Sequence, residues 1–312
     1  MNIQPNLIPQ VQNESVQIDH LAAISYLYSQ AKCFLAIQII LTILIPITLT
    51  IVSVFLSKLR IWATFYGVTI SIIDAVLLEH LTRSFKEQAA KIQELFDCEV
   101  LKLDWHKLKI GSKPDHEAVE EAATKFKSKN PDLTELKNWY PENVGKLPLY
   151  AARVVCQREN CLWDSKLRQK YTYGLTYILA GAIIIVFIIG FATGMNMEKF
   201  ILAVLAPISP FILWTIREYK KQRESLTLLD RLKAYVEGLW SDVIAKKLPP
   251  KQIEVKSREL QDEIYDHRCN DPLIFNWIYR LLRTQYEGHM NKGAEKLVED
   301  ALVALDIKGV IQ

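Results

Sequence analysis

No segment of this chain has the form that cradles a nucleotide phosphate. There is neither a Walker A loop nor a Gly-x-Gly-x-x-Gly turn. The Gly-x-Ser-x-Gly elbow is missing too, as are His-Glu-x-x-His and Cys-x-x-Cys. These absences remove the common signatures of nucleotide, ester and metal-dependent peptide hydrolysis, and the chain reads as a non-enzyme. Charge of one sign is scarce: 38 Lys and Arg stand against 35 Asp and Glu, a net +3. That balance excludes a strongly basic nucleic-acid binder. Five cysteines are too few for a disulfide scaffold, and an odd number cannot pair fully within one chain. A reducing compartment is the simpler reading. Cys156-x4-Cys161 and His267-x-Cys269 do not have the spacing of a usual zinc site, so no metal and no catalytic residue is assigned.

What the chain has in abundance is apolar length. Half of its 312 residues are hydrophobic, which excludes disorder for most of it. Residues 33–56 and 171–197 carry no formal charge, and 61–78 carries only Asp74. Residues 200–216 are shorter and also uncharged. A hydrocarbon core about 30 Å thick needs ~20 helical residues, so these runs predict four transmembrane helices in two hairpins. The first run begins too deep in the chain, and is too long, for a cleaved signal peptide.

Basic residues set the orientation. Within 15 residues of the span ends, thirteen Lys and Arg fall beside the termini and the segment between the hairpins. Only Lys58, Arg60 and Lys199 fall on the other side. The excess marks the cytoplasmic face, which predicts cytoplasmic termini. The chain then divides into a tail (1–32), a first hairpin (33–81), a central cytoplasmic segment (82–170), a second hairpin (171–216) and a C-terminal cytoplasmic segment (217–312).

The polar segments read as helical, so the whole protein is expected to be all-α. The stretch after the second span has neither Gly nor Pro up to Val100. After the fourth, Leu226, Leu229, Leu232, Val236 and Trp240 recur at helical spacing until Pro249-Pro250. Asp115 is placed to cap a short helix ending near Asn130, and residues 132–139 predict another. Residues 1–14 read as flexible. Residues 18–32 suit an amphipathic helix, lying on the membrane or packed on the other cytoplasmic helices.

Three features inside the spans bear on function. Asp74 is an expensive group for a membrane, either lining a pore or making a contact between helices. Pro207 and Pro210 remove helical donors from the fourth span and mark a gating hinge or a static kink. Gly190 and Gly194 have the small-xxx-small spacing of close helix approach.

Four stretches together resemble the SMODS-associating four-transmembrane effectors of bacterial antiphage defence. They are Leu95-Phe96-Asp97-Cys98-Glu99-Val100 with Leu103-Asp104-Trp105-His106; Asn138-Trp139-Tyr140-Pro141; Cys156-Gln157-Arg158-Glu159-Asn160-Cys161-Leu162-Trp163-Asp164 with Arg168; and Ser257-Arg258-Glu259-Leu260-Gln261-Asp262-Glu263-Ile264-Tyr265 with Arg268, Pro272 and Ile274-Phe275-Asn276-Trp277-Ile278-Tyr279. With the four spans, the resemblance covers nearly the whole chain. It implies an effector of the bacterial inner membrane that works with a nucleotidyltransferase making cyclic oligonucleotides. A cyclic di- or trinucleotide would activate it to permeabilise the bilayer, and a homo-oligomer is expected because four helices leave little room for a private pore. Such a ligand calls for arginine forks and aromatic faces. Arg158, Arg258 and Arg268 are the candidates for phosphate, and Trp139, Tyr140 and Trp163 for base stacking. The same residues also suit ordinary helix packing. A membrane-anchored scaffold recruiting partners through its helical tails is the rival function.

Overall fold

The computed structural model describes residues 6–56 and 58–306, and the side chains of residues 54, 55, 60, 193, 279, 280 and 282–292, among them Tyr279, lie outside the described set. The described residues are all-α. The chain opens with α1 (Ile8–Val11) and α2 (Ser15–Ile39), which runs through a π turn (Ile40–Leu44) into α3 (Ile45–Phe55). It returns as α4 (Leu59–Ile73), a second π turn (Asp74–Leu78) and α5 (Glu79–Val100). Between the hairpins come α6 (Lys107–Ile110), α7 (His116–Lys129) and two 3-10 turns, Thr134–Leu136 and Glu142–Lys146. The second hairpin is α8 (Leu149–Thr193), then α9 (Met197–Phe200), a third π turn (Ile201–Leu205) and α10 (Ala206–Ile244). Helices α11 (Pro250–Asn270) and α12 (Asn276–Ala304) close the chain.

Among the described residues, four continuous helices are long and apolar enough to cross a membrane: Ser15–Ser53, Ile61–Val100, Leu149–Ala192 and Met197–Ile244. Such lengths reach about 60–70 Å, twice the hydrocarbon thickness. Each helix therefore has an apolar half and a half embedded in a polar body. On the apolar halves Phe65, Ile72, Phe187, Ile188 and Leu202 are exposed, as lipid-facing side chains should be. On the polar halves the core is dense. Ala22, Ala23, Ala89, Ala90, Ala151 and Ala152 are fully buried. Side chains this small let α2 and α5 approach closely, while α8 packs along α10; Phe96, Leu229, Val236, Leu239 and Leu260 belong to the same buried cluster. Helix α11 packs across α5, α8 and α10, and α7 packs along α2.

Three local expectations change. Residues 132–139 form one 3-10 turn, because Asp132 Oδ1 accepts from the amide and hydroxyl of Thr134 at 2.9 and 2.7 Å. That local bond competes with helix. Residues 1–5 lie outside the described residues, but 6–14 are pinned rather than loose. Asn6 Nδ2 donates to the carbonyls of Val144 and Leu147, and Gln12 exchanges two hydrogen bonds with the backbone of Tyr140. Helix α10 ends at Ile244, before the double proline, with Lys246 left-handed; Pro250 instead opens α11. Of the two placements for residues 18–32, packing on the polar helices is the one observed.

Gly190 and Gly194, the spaced pair of the third span, do different things. A Cβ on Gly190 would lie 2.8 Å from the Phe200 ring across the hairpin, whereas Gly194 (φ +58°) caps α8.

Candidate functional site

The polar body is organised around buried charge. Helix α5 places Glu94 and Asp97 one turn apart on its inward face, both fully buried. Helix α11 answers with Arg258, Gln261 and Arg268. Arg258 Nη2 donates to Glu94 and to Asp262, each at 2.7 Å, and its Nη1 reaches the Asp104 carbonyl at 3.0 Å. Arg268 Nη1 donates to Asp97 at 2.6 Å. The Gln261 amide bridges the two carboxylates, 2.8 Å to each. Tyr140 donates its hydroxyl to Asp97 at 2.6 Å and accepts from Asn160 at 3.1 Å. Gln157 and Ser257 extend the network into α8, and His106 meets Asp262 at 2.7 Å.

Two fully buried carboxylates thus face two guanidinium groups, that of Arg268 buried and that of Arg258 partly exposed. Burial pushes the Glu94 carboxyl up, and neighbouring Asp97 adds to this against the pull of Arg258. For both arginines burial opposes the charge, but the carboxylates outweigh it and hold the proton more tightly than usual. One donor is left over: Arg258 Nε is buried with no hydrogen-bond partner among the described residues. Orphans of this kind are rare in folded proteins.

A second charged cluster sits where the second hairpin leaves the polar body. Arg168 donates to Asp164 at 2.9 Å, to Gln222 of α10 at 2.9 Å and to the Pro272 carbonyl at 2.8 Å. It also pairs with Asp271. His267 joins Asp164 at 2.7 Å. Burial alone would raise the Asp164 carboxyl, but Arg168 and His267 hold it well below the ordinary range. Donor atoms of Asp164, His267 and Asp271 lie within 4.8 Å of one another, a set that resembles a metal site. Arg168 is bonded to both carboxylates and is itself their cation.

The residues proposed for a phosphate-bearing ligand therefore divide. The structure gathers Arg258, Arg268 and Tyr140 into one network. Tyr140 is buried and stacks on Phe96 at 6.2 Å, so its faces are packed. Trp139 meets the edge of Phe96 at 6.4 Å and is partly exposed. Arg158 stands apart, donating to Glu237 of α10 at 2.6 Å, with Glu159 at 3.5 Å. Trp163 is half-buried on the same helix. Sequence reasoning quoted Asp97 and Gln261 only within the resemblance and gave neither them nor Glu94 a role in the site. The available signal was a pair of acids three residues apart within the apolar stretch Leu95-Phe96-Asp97-Cys98.

Inside the spans, Gln38 Nε2 donates to Asp74 Oδ1 at 2.6 Å, tying the first helix to the second. Tyr66 adds a bond to the Leu41 carbonyl at 2.9 Å. The π turns Ile40–Leu44 and Ile201–Leu205 each stop two residues before a proline, Pro46 and Pro207. Pro210 lies within α10 and cannot donate to Ala206; the Ser209 hydroxyl serves that carbonyl instead, at 2.9 Å.

Four membrane-length helices whose polar halves share one buried core define a multipass helical membrane protein with an integrated polar domain. The sequence profile of the SMODS-associating 4TM effector domain matches residues 6–297, and the chain belongs to that family. It is similar to a probable CBASS effector molecule of Bacillus cereus (strain VD146), 28% identical over 292 residues, covering 89% of this chain and 94% of that protein. No solved structure matches.

Proposed function

We propose that this chain is an antiphage effector of the bacterial inner membrane, activated by a cyclic di- or trinucleotide, and that it breaches the bilayer as a homo-oligomer. In this reading both termini and the polar body are cytoplasmic, and a nucleotidyltransferase of the same defence system supplies the ligand. The protein acts by binding and conformational change rather than by catalysis. The observation that carries the proposal is continuity. Each span is one helix with a stretch of the charged polar body, with no loop between to absorb a change made there.

Phosphate oxygens compete with carboxylate oxygens for the same guanidinium forks. A ligand that takes Arg258 or Arg158 from its carboxylates also changes what holds α5, α8, α10 and α11 together. Arg258 has an unsatisfied Nε to offer, and Arg158, buried to the same degree, is paired with half-exposed Glu237. Trp139 and Trp163 lie nearest the surface among the stacking candidates. Such a ligand opens the membrane only in so far as it binds the open state more tightly than the resting one. Asp74, Pro207 and Pro210 are the groups expected to move.

The test is release of dye from liposomes carrying the purified protein, against a panel of cyclic di- and trinucleotides. Leakage triggered by one member, and lost in Arg158→Ala with the fold intact, is the expected result. Folded, inserted protein that binds a partner protein but releases no dye with any member would overturn it in favour of a scaffold.

A further inference from the structure

A cavity of 230 Å³ lies where α2 packs on α7, lined by Val16, Asp19, His20, His116, Val119 and Glu120. It is smaller than the ~300–1,000 Å³ of typical small-molecule sites. Its chemistry is that of a cation site. His20 is 5% exposed and buried at the cavity wall. Its Nδ1 lies 3.2 Å from Gln17 Oε1. Gln17 has only one way to face, because its Nε2 donates to the Glu99 carboxylate at 2.7 Å. The Oε1 end therefore accepts, and the ring hydrogen sits on Nδ1. Nε2 is left as a lone-pair nitrogen with no hydrogen bond among the described residues. Metal-binding histidines are held in this manner, with the far nitrogen donating to a fixed oxygen that sets tautomer and ring plane.

The remaining donors come from α7. His116 and Glu120 are one turn apart, so they share a face of that helix. Both are exposed at the cavity rim; their donor atoms do not converge with His20 Nε2 as placed, so binding an ion requires these two side chains to rotate inward. Asp19, also at the wall, is occupied by Lys127. We propose that this cavity is a site for a zinc-like divalent transition metal, held by His20 Nε2, His116 and Glu120, with water completing the shell. Two imidazoles and a carboxylate suit zinc, whereas calcium and magnesium require mostly oxygen. The bound ion would join the first long helix to the segment between the hairpins.

The experiment uses full-length protein in detergent, dialysed against zinc, then against zinc-free buffer, with bound metal counted by mass spectrometry. About one zinc per chain is expected, with a higher thermal midpoint, and neither calcium nor magnesium should reproduce it. His116→Ala and Glu120→Gln change exposed side chains and leave the fold intact, unlike a change at buried His20. Each should weaken zinc binding by about 10-fold or more and remove the thermal shift. Cobalt in place of zinc should give visible bands of a nitrogen and oxygen site. Absence of retained zinc, retention unchanged by His116→Ala, or a cobalt–thiolate charge-transfer band from the cysteines would each overturn the assignment.

Discussion

Removing the Arg268 side chain separates two roles that its position permits. Asp97 is fully buried and receives hydrogen bonds from Arg268, Tyr140 and Gln261. Arg268→Ala leaves the two hydrogen bonds but takes away the countercharge, with Glu94 close enough to add its own repulsion. Breaking one side of a buried ion pair costs about 3–5 kcal/mol. At roughly 2–4 °C per kcal/mol for a domain of this size, the midpoint falls by about 10 °C. The chain carries its own reporters, because Cys98, Cys156 and Cys161 are buried thiols. A thiol-reactive dye added to detergent-solubilised protein reads their exposure as the body opens. Pairing Arg268→Gln with Asp97→Asn removes both charges and should recover part of the loss, with a coupling of at least ~1 kcal/mol. A midpoint within about 2 °C of the parent would refute the reasoning and return Arg268 to the pool of residues free to serve a ligand.

Burial raises the Glu159 carboxyl to about 7, against the pull of Arg158. The folded state then keeps a proton that the unfolded chain sheds near pH ~4.3, so stability falls as pH rises between those values. Glu159→Gln removes this dependence, and its advantage should grow by about 2 kcal/mol from about pH 5 to about pH 8; tryptophan-fluorescence melts at both pH values check it. Gly190→Leu should separate the second hairpin, since a Cβ alone comes within 2.8 Å of Phe200; a proximity label across positions 190 and 200 would read the loss. Gln38→Leu strips Asp74 of its partner and should cost about 1–2 kcal/mol in a micelle unfolding titration, with Asp74→Leu restoring most of it.

The four spans were legible because a hydrocarbon slab imposes a length and tolerates almost no charge. Their extension into the polar body was legible for a related reason: the stretch from Glu79 to Val100 has no breaker, and the Leu226–Trp240 stripe keeps one face apolar. What composition could not tell was whom the arginines serve. A phosphate and a carboxylate offer a guanidinium the same negative oxygens, so Arg258 and Arg268 read alike for either partner. The difference lay in Glu94 and Asp97, 161 to 174 positions away in sequence by subtraction of their numbers. Only the crossing of α11 over α5 brings them together. The N-terminal segment failed for the opposite reason. Asn6 and Gln12 look like solvated polar residues until they are seen to fix the backbone at Val144, Leu147 and Tyr140.

A pivot at Pro207 would have a mechanical consequence. From there to Ile244, α10 runs for about 55 Å as one continuous helix that includes Pro210. A pivot of about 10° at the proline would carry its far tip through about 10 Å. That tip holds Leu239, Trp240 and Val243 in the core. Run backwards, the same leverage would trade a large, weak displacement among those side chains for a small, forceful rotation inside the bilayer. Such a pivot would gear the fourth helix, with the polar body on the long arm.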